Sequence, residues 1–154
     1  MEESVNGRSV PPGYARNNPL NIMHNKSNKW IGATGKTGKN PLETFMSQFY
    51  GWRAALIIIY SSYRKKGFVT ISQIITRWAP PSENDTKGYL KYVCDRTGMS
   101  SDTFMPTLHD DPLAWAHLLM AMAEMEIGHA FAPKTFFSLI SAIKTYTTES
   151  LNPF

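Results

Sequence analysis

The chain has 154 residues, of which 42% are hydrophobic, 12% aromatic and 18% charged. That is enough apolar material for one packed core and too little charge for a disordered polymer, so collagen, coiled coil and intrinsic disorder are excluded. Apolar runs such as residues 54–59 fall far short of the ~20 residues a membrane-spanning helix needs. Sixteen basic against twelve acidic side chains leave a formal charge of +4, which favours a polyanionic partner, nucleic acid or bacterial cell wall. One cysteine, Cys94, excludes an internal disulfide and a thiolate metal cluster. The acidic start Met-Glu-Glu-Ser-Val carries no signal-peptide pattern. Export, if any, is expected to use another route.

In chain order, residues 1–19 hold Pro11, Pro12, Gly13 and Pro19 without an apolar period and read as an irregular arm, its first 13 residues flexible and residues 14–154 forming one domain. Residues 20–46, rich in Asn, Lys and Gly with apolar pairs at 22–23, 30–31 and 45–46, read as a small β-hairpin region. A long helix follows over 48–66, with Ser47 as N-cap, Gly67 beyond its end, and Trp52, Leu56, Ile59 and Tyr63 on one stripe. Thr70 and Gln73 fit a capping box whose helix ends near Trp78, before Pro80 and Pro81. Asn84 or Asp85 caps the next helix, which Gly98 stops. Asp111 with Pro112 opens a helix to Ile127 closed by Gly128, and Pro133 opens a last one to about residue 147. Five helices and a hairpin give an α+β, mostly α, fold.

The helix over 112–127 is apolar around nearly its whole circumference, so it is buried. At roughly 100° per residue, Glu126 lines up with Trp115, Leu119 and Met122, while Glu124 falls on the more polar side with His117. A carboxyl on the apolar row at a buried helix's end is desolvated on one side and able to face a cleft on the other. That raises its pKa and suits it to general acid catalysis; the competing reading has Glu126 pairing with Arg or Lys, or capping backbone. Residues 16–22, Arg-Asn-Asn-Pro-Leu-Asn-Ile, crowd three amides into one turn, suited either to sugar N-acetyl and hydroxyl groups or to local backbone bonding. Residues 78–85, Trp-Ala-Pro-Pro-Ser-Glu-Asn-Asp, offer an indole for sugar stacking with Glu83 and Asp85 as second carboxylates; equally, Asp85 caps a helix and the indole is core.

Residues 32–39 imitate a phosphate loop, but Trp30 stands where its first glycine belongs and Pro41 denies the following helix, leaving a basic hairpin tip. His24, His109, His117 and His129 lack metal-ligand spacing, and Cys94 lies on an apolar stripe. No cofactor is expected.

Three stretches together, Arg-Asn-Asn-Pro-Leu-Asn-Ile at 16–22, Arg-Trp-Ala-Pro-Pro-Ser-Glu-Asn-Asp-Thr at 77–86 with Tyr89, and Met-Glu-Ile-Gly at 125–128, resemble a phage-encoded, lysozyme-like virion protein family associated with peptidoglycan degradation. The resemblance spans about residues 14–130. The first stretch has one asparagine fewer than the family's R-N-N-N-P-G-N-I and Leu20 in place of its glycine; the last has Ile127 where asparagine is typical. The resemblance implies a lysozyme-like fold, with a chain order permuted so that Gly128 packs beside residues 16–21 and Glu126 and Asn18 face one groove. It implies a peptidoglycan hydrolase, muramidase or lytic transglycosylase, carried in a virion or released as a lysin. Glu126 would be the general acid, with Glu83 or Asp85 as second carboxylate; failing both, a substrate hydroxyl acts as nucleophile. Arg16, Asn17, Asn18, Asn21, Trp78 and Tyr89 would bind the glycan. Two other classes stay open: a non-catalytic virion or wall-binding protein, with other virion proteins as partners, and a nucleic-acid module resting on charge alone.

Overall fold

One helix organises the molecule. The computed structural model describes residues 4–5, 8–35 and 41–148, and within them α5 (Pro112–Ile127) buries Trp115, Ala116, Leu118, Leu119, Ala121, Met122, Ala123 and Ile127. A helix apolar on every side is stable only when surrounded. Around it lie α1 (Pro12–Ala15), α2 (48–65), α3 (Ile71–Trp78), α4 (Thr86–Thr97) and α6 (Phe136–Thr148), the last preceded by a 3₁₀ turn at Ala132–Thr135. Helix α2 begins as Gln48–Ala55, widens to a π-helical stretch at Leu56–Ser62 and finishes at Tyr63–Lys65. The uninterrupted α-helix expected over 48–66 is thus broken where three consecutive isoleucines crowd the turn. α2 packs on α6, and α5 on both α4 and α6. Two indoles fix this packing through polar atoms: Trp52 Nε1 donates to the Thr135 carbonyl at 3.1 Å and Trp115 Nε1 to that of Pro106 at 2.9 Å.

Helix starts follow local chemistry. Thr70 and Gln73 form the full capping box; Asp85 accepts from Gly88 N–H and Asp111 from Ala114 N–H, each cap satisfying an otherwise orphaned donor.

The α+β expectation is overturned: the fold is helical. Strand content among the described residues is a two-residue antiparallel pairing of β1 (Ser4–Val5) with β2 (Arg8–Ser9) and three isolated bridges. Where a hairpin was expected, at 20–46, only the Met23–Leu42 and Ala33–Phe45 bridges occur. Each apolar pair there sends one residue inward (Ile22, Trp30, Phe45) and leaves its neighbour exposed (Met23, Ile31, Met46), but the polar residues between them do not continue the alternation a ladder needs. Half of the basic hairpin tip expected at 32–39, residues 36–39, falls outside the described residues, as does part of the expected arm at 1–13. Val10 is fully buried, and α1 replaces irregular chain at 12–15. Among the described residues no helix is long and apolar enough to cross a membrane.

Candidate functional site

At the C-terminal end of α5, Ile127 turns into the core and Glu126 is half-buried at the wall of a cleft of about 630 Å³. Its carboxylate is held by neutral donors from three elements. Asn21, in the turn after α1, donates through Nδ2 to Oε1 at 3.2 Å and also to the Glu126 backbone carbonyl at 3.1 Å. Trp78, the last residue of α3, donates from Nε1 to Oε2 at 3.3 Å, and the Tyr89 hydroxyl of α4 to the same oxygen at 3.0 Å. Each carboxylate oxygen has two acceptor positions. Oε2 is therefore saturated by indole and phenol, while Oε1 keeps one position open.

Tyr89 meets Glu126 as a donor. Burial first, then the Glu126 charge and the hydrogen bond to it, push its phenol far above the usual tyrosine range, so it keeps its proton at neutral pH.

Asn21 adopts a left-handed backbone, φ 54°, which Asn tolerates better than most residues. Gly13 makes room for it: a Cβ there would lie 1.9 Å from Asn21 Oδ1.

The amide turn divides into structural and cleft-facing members. Asn18, expected in the groove with Glu126, is fully buried; its Nδ2 donates to the carbonyls of Ile22 and Glu43, both at 2.9 Å, and its Oδ1 accepts from Ile22 N–H at 2.8 Å. With every polar atom taken by backbone, it cannot touch a sugar. Asn17 donates to the Phe45 carbonyl at 3.0 Å and accepts from Gln48. Arg16 Nη1 donates to Thr44 Oγ1 at 2.8 Å. These three bind the 41–45 segment to the turn, and only Asn21 reaches Glu126.

Neither candidate for a second carboxylate lines the cleft. Glu83 is exposed in the loop after α3, and Asp85 is committed to capping α4. The pairing that would have neutralised Glu126 belongs instead to its neighbour: Glu124, expected on the polar side of α5, is buried and accepts from Arg96 Nε at 2.9 Å and the Tyr92 hydroxyl at 2.9 Å.

The rest of the cleft went unread in the sequence. His24, Asn25, Asn28, Ile58, Tyr63, Arg77 and Asn84 line it as well. His24 Nδ1 lies 3.1 Å from Oε2 of Glu43, which is 1% exposed. The local signal for Asn25 and Asn28 was the run of amides continuing past residue 22; nothing local marks Glu43, which reaches the site through long-range pairing.

The features so far define a helical domain presenting one carboxylate, dressed by neutral donors, in an open cleft rimmed with amides and an indole. No known family profile matches the chain. It is 33% identical over 118 residues to Protein P5 of Pseudoalteromonas phage PM2, across 75% of this chain and 71% of that protein, and it belongs to the family of that phage protein.

Proposed function

We propose that the chain cleaves the β-1,4 glycan backbone of bacterial peptidoglycan, with Glu126 as general acid, as a phage-type wall-degrading protein of lysozyme-like kind. The observation that carries this reading is the Glu126 carboxylate itself: it has no cationic partner among the described residues, it is oriented by Asn21, Trp78 and Tyr89, and it has an open position on Oε1 beside a cleft of about 630 Å³. A polysaccharide needs an open trough rather than a closed pocket. N-acetyl and hydroxyl groups are met by amides, here Asn21, Asn25, Asn28 and Asn84, and sugar faces by an indole such as that of Trp78. In the chemical step the proton on Oε1 passes to the leaving glycosidic oxygen as its bond to C1 breaks, and an oxocarbenium-like centre forms. The positive net charge draws the chain to an anionic wall.

The centre at C1 is then captured by water, leaving a reducing end, or by a hydroxyl of the same sugar, leaving an anhydro end lighter by one water. Mass spectrometry of fragments released from isolated peptidoglycan identifies the product. The decisive variant is Glu126→Gln. Its amide oxygen can still accept from Trp78 and Tyr89, and its NH₂ would face Asn21 Oδ1, a buried atom without a hydrogen-bond partner, after a flip of the Asn21 amide. The variant should therefore fold and bind wall as before while fragment release drops by at least about a hundredfold. Undiminished release by Glu126→Gln, or wild-type protein that sediments with the wall and frees nothing, would defeat the proposal; the second outcome would leave a wall-binding protein.

A further inference from the structure

The proposed cleavage needs a group that takes a proton from the attacking nucleophile, and neither Glu83 nor Asp85 is in the cleft to do it. Glu126 cannot serve both faces of the sugar at once, since Oε2 is saturated and the open position on Oε1 is engaged with the leaving oxygen. A different titratable group lines the same cleft. His24 sits where the 22–24 segment meets 41–43: His24 N–H donates to the Pro41 carbonyl, Glu43 N–H to that of Ile22, and Met23 bridges Leu42. Its Nδ1 faces Glu43 Oε2 at 3.1 Å; a neutral imidazole that donates from Nδ1 to that carboxylate has an unprotonated Nε2, an atom without a protein partner among the described residues. Glu43 is almost completely buried, and its Oε1 has no hydrogen-bond partner. A carboxylate kept there, out of water, best repays its desolvation when the imidazole becomes a cation.

We propose that His24, oriented by Glu43, is the base of this cleft: Nε2 takes a proton from the water that attacks C1, while Glu126 protonates the leaving oxygen. This rests on the glycan-cleaving reading above and specifies its outcome as hydrolysis. Water supplies OH to C1 and one proton to Nε2; Glu126 supplies the proton on the departing hydroxyl. The imidazolium is held by Glu43 until it loses its proton to solvent, and Glu126 regains one the same way, so each turnover consumes one water. Glu43 is a positioning residue, and Asn18, whose side chain ties the backbone of Ile22 to that of Glu43, holds the two strands of the pair in register.

The charged and titratable groups around His24 are Glu43 beside it and Glu126, Arg77 and Tyr63 along the cleft. A base acts in its neutral form, so a variant lacking the imidazole should differ from the wild type in the shape of its pH profile. The experiment compares wild type, His24→Gln and Glu43→Gln on solubilised glycan strands, reading kcat, KM, the pH profile, product mass and thermal midpoint. Expected are reducing, non-anhydro ends from the wild type, a loss in kcat of about a hundredfold for His24→Gln with KM nearly unchanged, a changed pH profile for that variant, and a smaller loss in kcat for Glu43→Gln. Anhydro products, or His24→Gln with the wild-type kcat and pH profile while Glu126→Gln is dead, would overturn the role of His24 and leave the glycan-cleaving reading intact. A His24→Gln variant with a lowered thermal midpoint is replaced by His24→Asn, whose amide nitrogen can occupy the Nδ1 position. No fragments from the wild type would defeat both.

Discussion

Asn18 shows how one side chain can decide which residues reach a site. It is fully buried and makes three bonds to backbone, two as donor and one as acceptor. Removing it strands the Glu43 carbonyl and the Ile22 N–H away from water, each carrying a desolvation penalty, while the Ile22 carbonyl keeps the Glu43 N–H. Asn18→Ala should lower stability by about 3 kcal/mol, read by urea denaturation, and should also loosen the His24–Glu43 pair because the bonds lost are those joining their segments. Asn18→Asp keeps the acceptor to Ile22 N–H but turns the donor to two carbonyls into a charge facing them, so it should be the worse of the two. At this scale the sequence was legible in type and opaque in orientation. The crowding of amides at 17, 18 and 21 marked the turn, but which of them faces the cleft depends on left-handed backbone at Asn17 and Asn21 and on burial by a segment 25 residues away. Helical periodicity puts Glu126 near the end of α5 but misjudges the pair: Glu124, expected on the polar side, is the buried, ion-paired member, and Glu126 is only half-buried.

Among the elements, those whose ends are set by neighbours in sequence were the readable ones. The Thr70–Gln73 box and the Asp85 and Asp111 caps are local hydrogen bonds three residues long, and sequence fixes such contacts. The segment 20–46 is held instead by bonds to residues up to 28 positions away, such as Asn17 to Phe45, so no local pattern distinguishes it from a hairpin. The most demanding junction is the end of α5. Gly128 has φ 89° and ψ 156°, a region open essentially to glycine, and its N–H still closes the helix on the Glu124 carbonyl at 3.1 Å. A Cβ there meets nothing within 4 Å, so the penalty of a substitution is conformational alone. Gly128→Ala should cost about 1–3 kcal/mol by thermal denaturation, and relaxation of that strain should shift Glu126, two residues earlier, away from Asn21. Fragment release should then fall by more than the loss of folded protein explains. Equal losses in the two would mean that the helix end tolerates the change without moving the carboxylate.

Tyrosines whose phenols burial holds above their ordinary range give the whole molecule an alkaline limit. Burial pushes the Tyr63 phenol up to about 12, against a smaller opposing pull from Arg77. Tyr89 is raised further, by burial first and then by Glu126, and Tyr92 in the same direction, by burial and then by Glu124. In the unfolded chain each ionises near its ordinary value of about 10. Below that value both states keep the protons and stability is unaffected. Above it the unfolded state releases protons that the native state retains, so stability falls with rising pH until the native phenols titrate in turn. For Tyr63 the window runs from about 10, the unfolded value, to about 12, with a slope of about 1.4 kcal/mol per pH unit from this one group. No hydrogen bond ties down the Tyr63 hydroxyl among the described residues, so Tyr63→Phe should leave stability at neutral pH nearly unchanged and flatten the alkaline decline by one proton's worth. Tyr89→Phe should flatten it too, but at neutral pH it removes a donor from Glu126 Oε2 and should impair cleavage. Urea midpoints measured from pH 8 to 11.5 separate these cases: identical alkaline slopes for wild type and Tyr63→Phe would mean that the phenol ionises freely in the folded protein and that this side of the cleft is wetter than its packing implies.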